Sequence, residues 1–143
     1  VHEELICAHS PFFKNAMKPE WAEMRSDPRA VHMPDDDAEA FELYMQWLYV
    51  KHLPIRDDES PDKEYLLLAK AFVLGEEVLD DGFKQFLIDA IIARSKVRVG
   101  KGKKTYFPEA KVISVVYQGT PDGSPIRRLF VDFWTWIAHA DWM

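Results

Sequence analysis

Apolar positions recur at helical spacing in six stretches of this chain. Phe12, Phe13, Ala16 and Met17 mark the first clear stripe, with Leu5, Ile6 and Ala8 available for burial just upstream. Phe41, Tyr44, Met45, Leu48 and Tyr49 follow at i, i+3, i+4, i+7, i+8, widened by Leu43 and Trp47. A helix over 61–78 carries Leu66, Ala69, Phe72 and Val73, and Phe83, Phe86, Leu87, Ala90 and Ile91 mark the next. Val112, Ile113, Val115, Val116 and Tyr117 are rich in β-branched residues, yet their spacing and the Gly119 terminator predict helix. The last helix spans Arg127 to His139. Leu129, Phe130, Phe133, Trp134 and Ile137 form its inner face, and Arg128, Asp132, Thr135 and His139 its polar stripe.

Punctuation agrees with this pattern. Ser10-Pro11, Ser60-Pro61 and Ser124-Pro125 each precede a helical run, with Ser suited to the N-cap and Pro to the first helical position. Asp35-Asp36-Asp37 reads as a solvated helix start rather than a metal site, since no hard-cation spacing follows. Short extended pieces are expected at Ala30–Met33, ended by Pro34, and at His52–Ile55, giving a small sheet near Val31 and Leu53. The expected fold is α+β and mostly helical.

Charge divides the chain. Residues 1–95 hold 10 Lys and Arg against 20 Asp and Glu, and residues 96–143 hold 8 against 4, within a net charge of −6 over 143 residues. An acidic body repels the phosphate backbone, so nucleic-acid binding by the main domain is disfavoured. The alternative of a nuclear regulator rests on the basic tract 94–104, which has six basic residues, no acid and two Gly, and otherwise reads as an exposed linker. The single Cys7 rules out an internal disulfide framework and fits a reducing compartment, so an intracellular place, cytoplasm or nucleus, is expected. No apolar run approaches the ~18 residues of a membrane span.

Catalytic chemistry finds little support. Cys7 and His9 are two positions apart and point to different faces of a helix. Gly-rich phosphate loops, G-x-S-x-G and H-E-x-x-H are absent from the sequence. Neither an enzyme activity, a cofactor nor a metal is expected. The five Trp need packing partners; Trp134 and Trp136 cannot both face one side of one helix.

Several motifs taken together resemble a BTB/POZ domain. In residues 2–13, a His at a strand end leads into Leu-Ile-Cys-Ala-His-Ser-Pro-Phe-Phe, with His2, Leu5, Ser10, Phe12 and Phe13 at the pattern's positions. Residues 41–53 are similar to the family's next helix, with Lys51-His52 where the family usually has Gly. Residues 66–76 and 83–91 resemble the closing helical hairpin in its fungal form, and residues 124–132 resemble the tail that follows it. The strand hairpin that normally precedes the His, and an upstream Asp, are not in the chain, which reads as N-terminally truncated. The resemblance implies a domain over 1–95, followed by a basic linker and helical extension over 96–143. It also implies a protein–protein interaction module, acting by homo- or hetero-oligomerisation and as an adaptor for a cullin-type ubiquitin ligase. It places the dimer seam at Leu5, Ile6, His9, Phe12 and Phe13, and a cullin-facing surface around Tyr49, Ile55 and Asp57.

Overall fold

The computed structural model describes residues 2–33, 37–52, 61–99 and 104–142. Eight helices occur among the described residues: α1 (Glu3–His9), α2 (Pro11–Ala16), α3 (Pro19–Ala22), α4 (Ala38–Val50), α5 (Pro61–Val78), α6 (Asp81–Ser95), α7 (Ala110–Gly119) and α8 (Pro125–Trp142). Helix α5 is central and packs against α2, α4, α6 and α7. That position explains why its buried set is wider than one stripe. Tyr65, Leu68, Ala69, Ala71, Phe72, Leu74 and Val78 are all buried, whereas Leu66 and Val73 only border the core.

The small sheet expected near Val31 does not form. Residues 30–33 are irregular, and Leu53 lies outside the described residues. The backbone entering the segment is already spent on a turn: Ala30 N–H donates to Asp27 O at 3.1 Å, and Arg29 N–H to Asp27 Oδ1 at 3.0 Å. The Arg25 guanidinium clamps Ala16 O at 2.8 Å and Pro28 O at 2.7 Å, holding this loop against α2. Val31 and Met33 are half-buried against the core without a ladder.

The strand pairing that does occur lies in the basic tract. β1 (Arg98–Val99) pairs antiparallel with β2 (Lys104–Thr105), Arg98 opposite Thr105. The described parts of the tract therefore include helix and paired strand. Arg94 belongs to α6, and its Nε lies 2.8 Å from Glu64 Oε2 on α5. Just past β2, Tyr106 O accepts the Tyr65 hydroxyl at 2.6 Å.

Caps follow the sequence in part. Asp37 Oδ1 accepts Glu39 N–H at 2.9 Å and Ala40 N–H at 3.1 Å, and Oδ2 takes Lys70 at 3.2 Å. The Ala40 hydrogen bond, with help from Lys70, holds this carboxyl below the usual carboxylate range. Ser10 caps α2 by accepting Phe13 N–H at 3.2 Å. Ser60 lies outside the described residues. Ser124 is buried, but its hydroxyl donates across to Glu76 on α5 at 2.9 Å.

The C-terminal helices dock through a close approach and an arginine. Val112 and Val116 are buried, and so are Ile126 and Phe130. Arg127 donates to Tyr117 O at 2.9 Å, to Thr120 Oγ1 at 3.0 Å and to Thr120 O, and stacks 4.6 Å from the Tyr117 ring. Burial fades along α8. Phe133 and Ile137 are half-buried, and Trp134, expected on the inner face, is 52% exposed. Trp134 sits on the flank of a stripe centred on Ile126 and Phe130, about 40–80° away at 100° per residue.

Gly119 allows α7 to reach α5. A Cβ there would stand 2.5 Å from Val73 Cγ2 and 2.6 Å from Cγ1, and a β-branched side chain cannot swing aside. Gly119→Ala is expected to destabilise the fold by about 1–3 kcal/mol in chemical denaturation. The added substitution Val73→Ala should recover part of that loss. Equal stability of Gly119→Ala and the parent chain would contradict the packing.

Candidate functional site

The described residues among those singled out in the sequence, Leu5, Ile6, His9, Phe12, Phe13 and Tyr49, lie on α1, α2 and the end of α4. Two short helices need an anchor, and Ser10 supplies it at their joint. Its hydroxyl is fully buried, caps α2 and donates to Val78 O, the end of α5, at 2.5 Å. The α1–α2 elbow is thereby fixed to the central helix.

Ile6 and Phe13 are 7% exposed and belong to the core, which sorts them from their neighbours. Leu5, Cys7 and Phe12 are half-buried, packed against the core with one side open. Ala8 is exposed. Phe12 meets Phe13 edge-on at 5.1 Å, so the rings continue from core to surface without a break.

Open recesses flank the elbow. One of about 460 Å³ is floored by Ile6, Phe13, Met17 and Phe41, with His2, Glu3 and Arg29 among its lining. The other, about 430 Å³, is lined by Glu4, Cys7, Ala8, Pro11 and Lys14. Burial pushes the Cys7 thiol up, and the Glu3 carboxylate adds to it. The thiol is thus held in its neutral, packing form. Among the described residues, no group of three His, Cys, Asp or Glu is placed to hold a metal ion. No helix among them is long and apolar enough to cross a membrane.

Helix α1 meets α4 at both of its ends. The Tyr49 hydroxyl accepts His2 N–H at 2.9 Å and lies 2.8 Å from His2 Nδ1. His9 Nε2 lies 3.0 Å from Lys51 Nζ, and the His9 ring stands edge-on to Trp47 at 5.5 Å. Tyr49 remains 48% exposed. Ile55 and Asp57 lie outside the described residues.

Sequence reasoning missed two features here. Lys51 takes a left-handed conformation, φ 57° and ψ 27°, as the C-cap of α4. This accounts for the Gly usual in the resembling pattern, because a Cβ costs roughly 1–2 kcal/mol in that region. The ammonium sits 3.8 Å over the Trp47 ring, a cation–π contact that offsets the strain. Asp80, three residues before Phe83, is 2% exposed. Its Oδ1 caps α6 by accepting Phe83 N–H at 3.0 Å, and its Oδ2 accepts the Tyr44 hydroxyl at 2.9 Å. Burial first, then Asp80, pushes the Tyr44 hydroxyl well above its ordinary range, so it stays a donor. The Asp-x-x-Phe spacing at the start of an apolar stripe was the available signal.

Residues 1–89 match the family model described as BTB/POZ domain. No curated protein and no solved structure matches the chain.

Proposed function

The chain belongs to the BTB/POZ family, a family of protein–protein interaction modules, and from this premise we propose that the α1–α2 elbow is its association surface and that a second copy of the chain is its partner. What supports this reading is the graded burial there. Ile6 and Phe13 seat the elbow in the core, while Leu5 and Phe12 keep an open side between two recesses. His9 belongs to the same face. Apolar groups half-covered by their own chain and rimmed by Glu4, Lys14 and Arg29 have the make-up of an interface core with a charged rim.

A cullin-type ubiquitin ligase is proposed as a further partner, met through Tyr49, Ile55 and Asp57. The exposure of Tyr49 at the end of α4 supports it. Of the six basic residues in 94–104, Arg94 already faces Glu64 at 2.8 Å, which leaves one cation fewer for contact with nucleic acid.

The test uses Ala8→Arg, a change at an exposed helical position that leaves the core untouched. Sedimentation across concentration should show self-association of the parent chain, weakened at least about tenfold by the new side chain. A ΔΔG of ~1.4 kcal/mol gives that factor. Association unchanged by Ala8→Arg would place the interface elsewhere.

A further inference from the structure

One contact between α1 and α4 carries a chemical requirement. An ammonium has three donors and no acceptor, so the 3.0 Å approach of Lys51 Nζ to His9 Nε2 is a bond donated by Lys51 to an unprotonated imidazole nitrogen. Lys51 cannot readily turn away. Its backbone is fixed as the C-cap, with its N–H donating to Trp47 O at 2.8 Å, and its ammonium rests on the Trp47 ring. At the other end of α1, the Tyr49 hydroxyl accepts His2 N–H and lies 2.8 Å from His2 Nδ1. A hydroxyl can donate to or accept from a ring nitrogen, so this contact sets no requirement on the ring.

We propose that a histidine clip, His9 to Lys51, holds α1 on α4 only while its ring is neutral, so that mild acid loosens the helix carrying Leu5, Ile6 and His9. Proton uptake by His9 turns a donor–acceptor pair into two cations about 3 Å apart. The charged groups facing His9 are Lys51 on α4 and, acting through Lys51, Asp80 between α5 and α6. Burial lowers the Lys51 ammonium's pKa, and Asp80 opposes this. The sign follows. Docking aided by a neutral imidazole is fully present at high pH and is lost as pH falls through the imidazole range.

Because Ile6 keeps α1 seated in the core, the expected effect is a loosening rather than a release. The clip is a surface contact, and its loss should change local opening by about three- to fivefold. The experiment is amide hydrogen exchange of residues 5–8, followed by NMR between pH 8 and pH 5 and corrected for intrinsic exchange, with Leu87 as the core reference. The parent chain should lose protection in α1 by that factor while Leu87 holds.

Two variants isolate the cause. His9→Gln keeps an acceptor for Lys51 but has no proton to gain. Lys51→Met keeps the aliphatic stem on Trp47 and removes the second cation. Each should more than halve the pH-dependent loss. A parent chain with no pH dependence, or variants that follow the parent profile, would overturn the proposal. Its functional meaning rests on α1–α2 being the association surface, but the readout is the docking of α1 itself. The clip therefore stands or falls separately from that reading.

Discussion

Replacing Phe83 by Ala is expected to destabilise the fold by about 3–5 kcal/mol, the range for truncating a buried aromatic ring. Phe83 has no exposed surface. Its ring centroid lies 4.8 Å from that of Tyr44 and 5.2 Å from that of Trp47, so one side chain joins α6 to α4. On the opposite side is Gly75 of α5, where a Cβ would approach Phe83 Cδ2 to 3.4 Å. Stiff rings and a helix backbone surround the space left by the truncation, and such walls collapse poorly. Urea denaturation with an unchanged m-value measures the loss. A shift under ~1 kcal/mol would mean that α6 does not depend on this junction.

Asp80→Ala is expected to cost about 2–4 kcal/mol by the same measurement. Two losses combine. Phe83 N–H at the start of α6 loses its cap, typically ~1 kcal/mol. The buried Tyr44 hydroxyl loses its acceptor, and an unsatisfied buried donor costs about 1–3 kcal/mol. The combination with Tyr44→Phe separates them. With the hydroxyl gone, Asp80→Ala should cost only about the cap, so the double variant is more stable than the two single losses imply. Simple additivity would contradict the Tyr44–Asp80 hydrogen bond as a coupled element.

The helices were legible because their signals are local. Periodicity located α4, α5, α6 and α7, and Pro at the first helical position marked α2, α5 and α8. The same one-dimensional pattern could not say how many neighbours a helix has. It gave α5 one face where the fold covers most of its circumference, and it put Trp134 inside where α8 has begun to leave the body. The missing strand at Val31 is the same lesson in β form. Alternation and a closing Pro describe a strand's chemistry, but a ladder needs a partner, and here the Asp27 turn and the Arg25 clamp take the backbone first.

The candidate site was legible as a segment and not as a surface. Leu5, Ile6, His9, Phe12 and Phe13 were identified by their resemblance to a family pattern, which marks positions without saying which side chains turn inward. Only the packing sorts Ile6 and Phe13 into the core and leaves Leu5 and Phe12 half open. The partners of the two histidines, Tyr49 and Lys51, lie 47 and 42 residues away in sequence, beyond any local rule. Asp80 was hidden for a related reason. Two acidic residues before Gly82 read as a turn unless the buried Tyr44 hydroxyl, 36 residues before Asp80, is known to need an acceptor.

The most direct measurement of the proposed function is a comparison of backbone hydrogen exchange in the parent chain at low and high protein concentration, at constant pH. If the α1–α2 elbow is the association surface, amides of residues 5–13 gain protection as concentration rises, while those of α7 and the exposed part of α8 do not. Protection gained around Trp134 and Trp136 instead, with residues 5–13 unchanged, would contradict it and place association on the C-terminal helix.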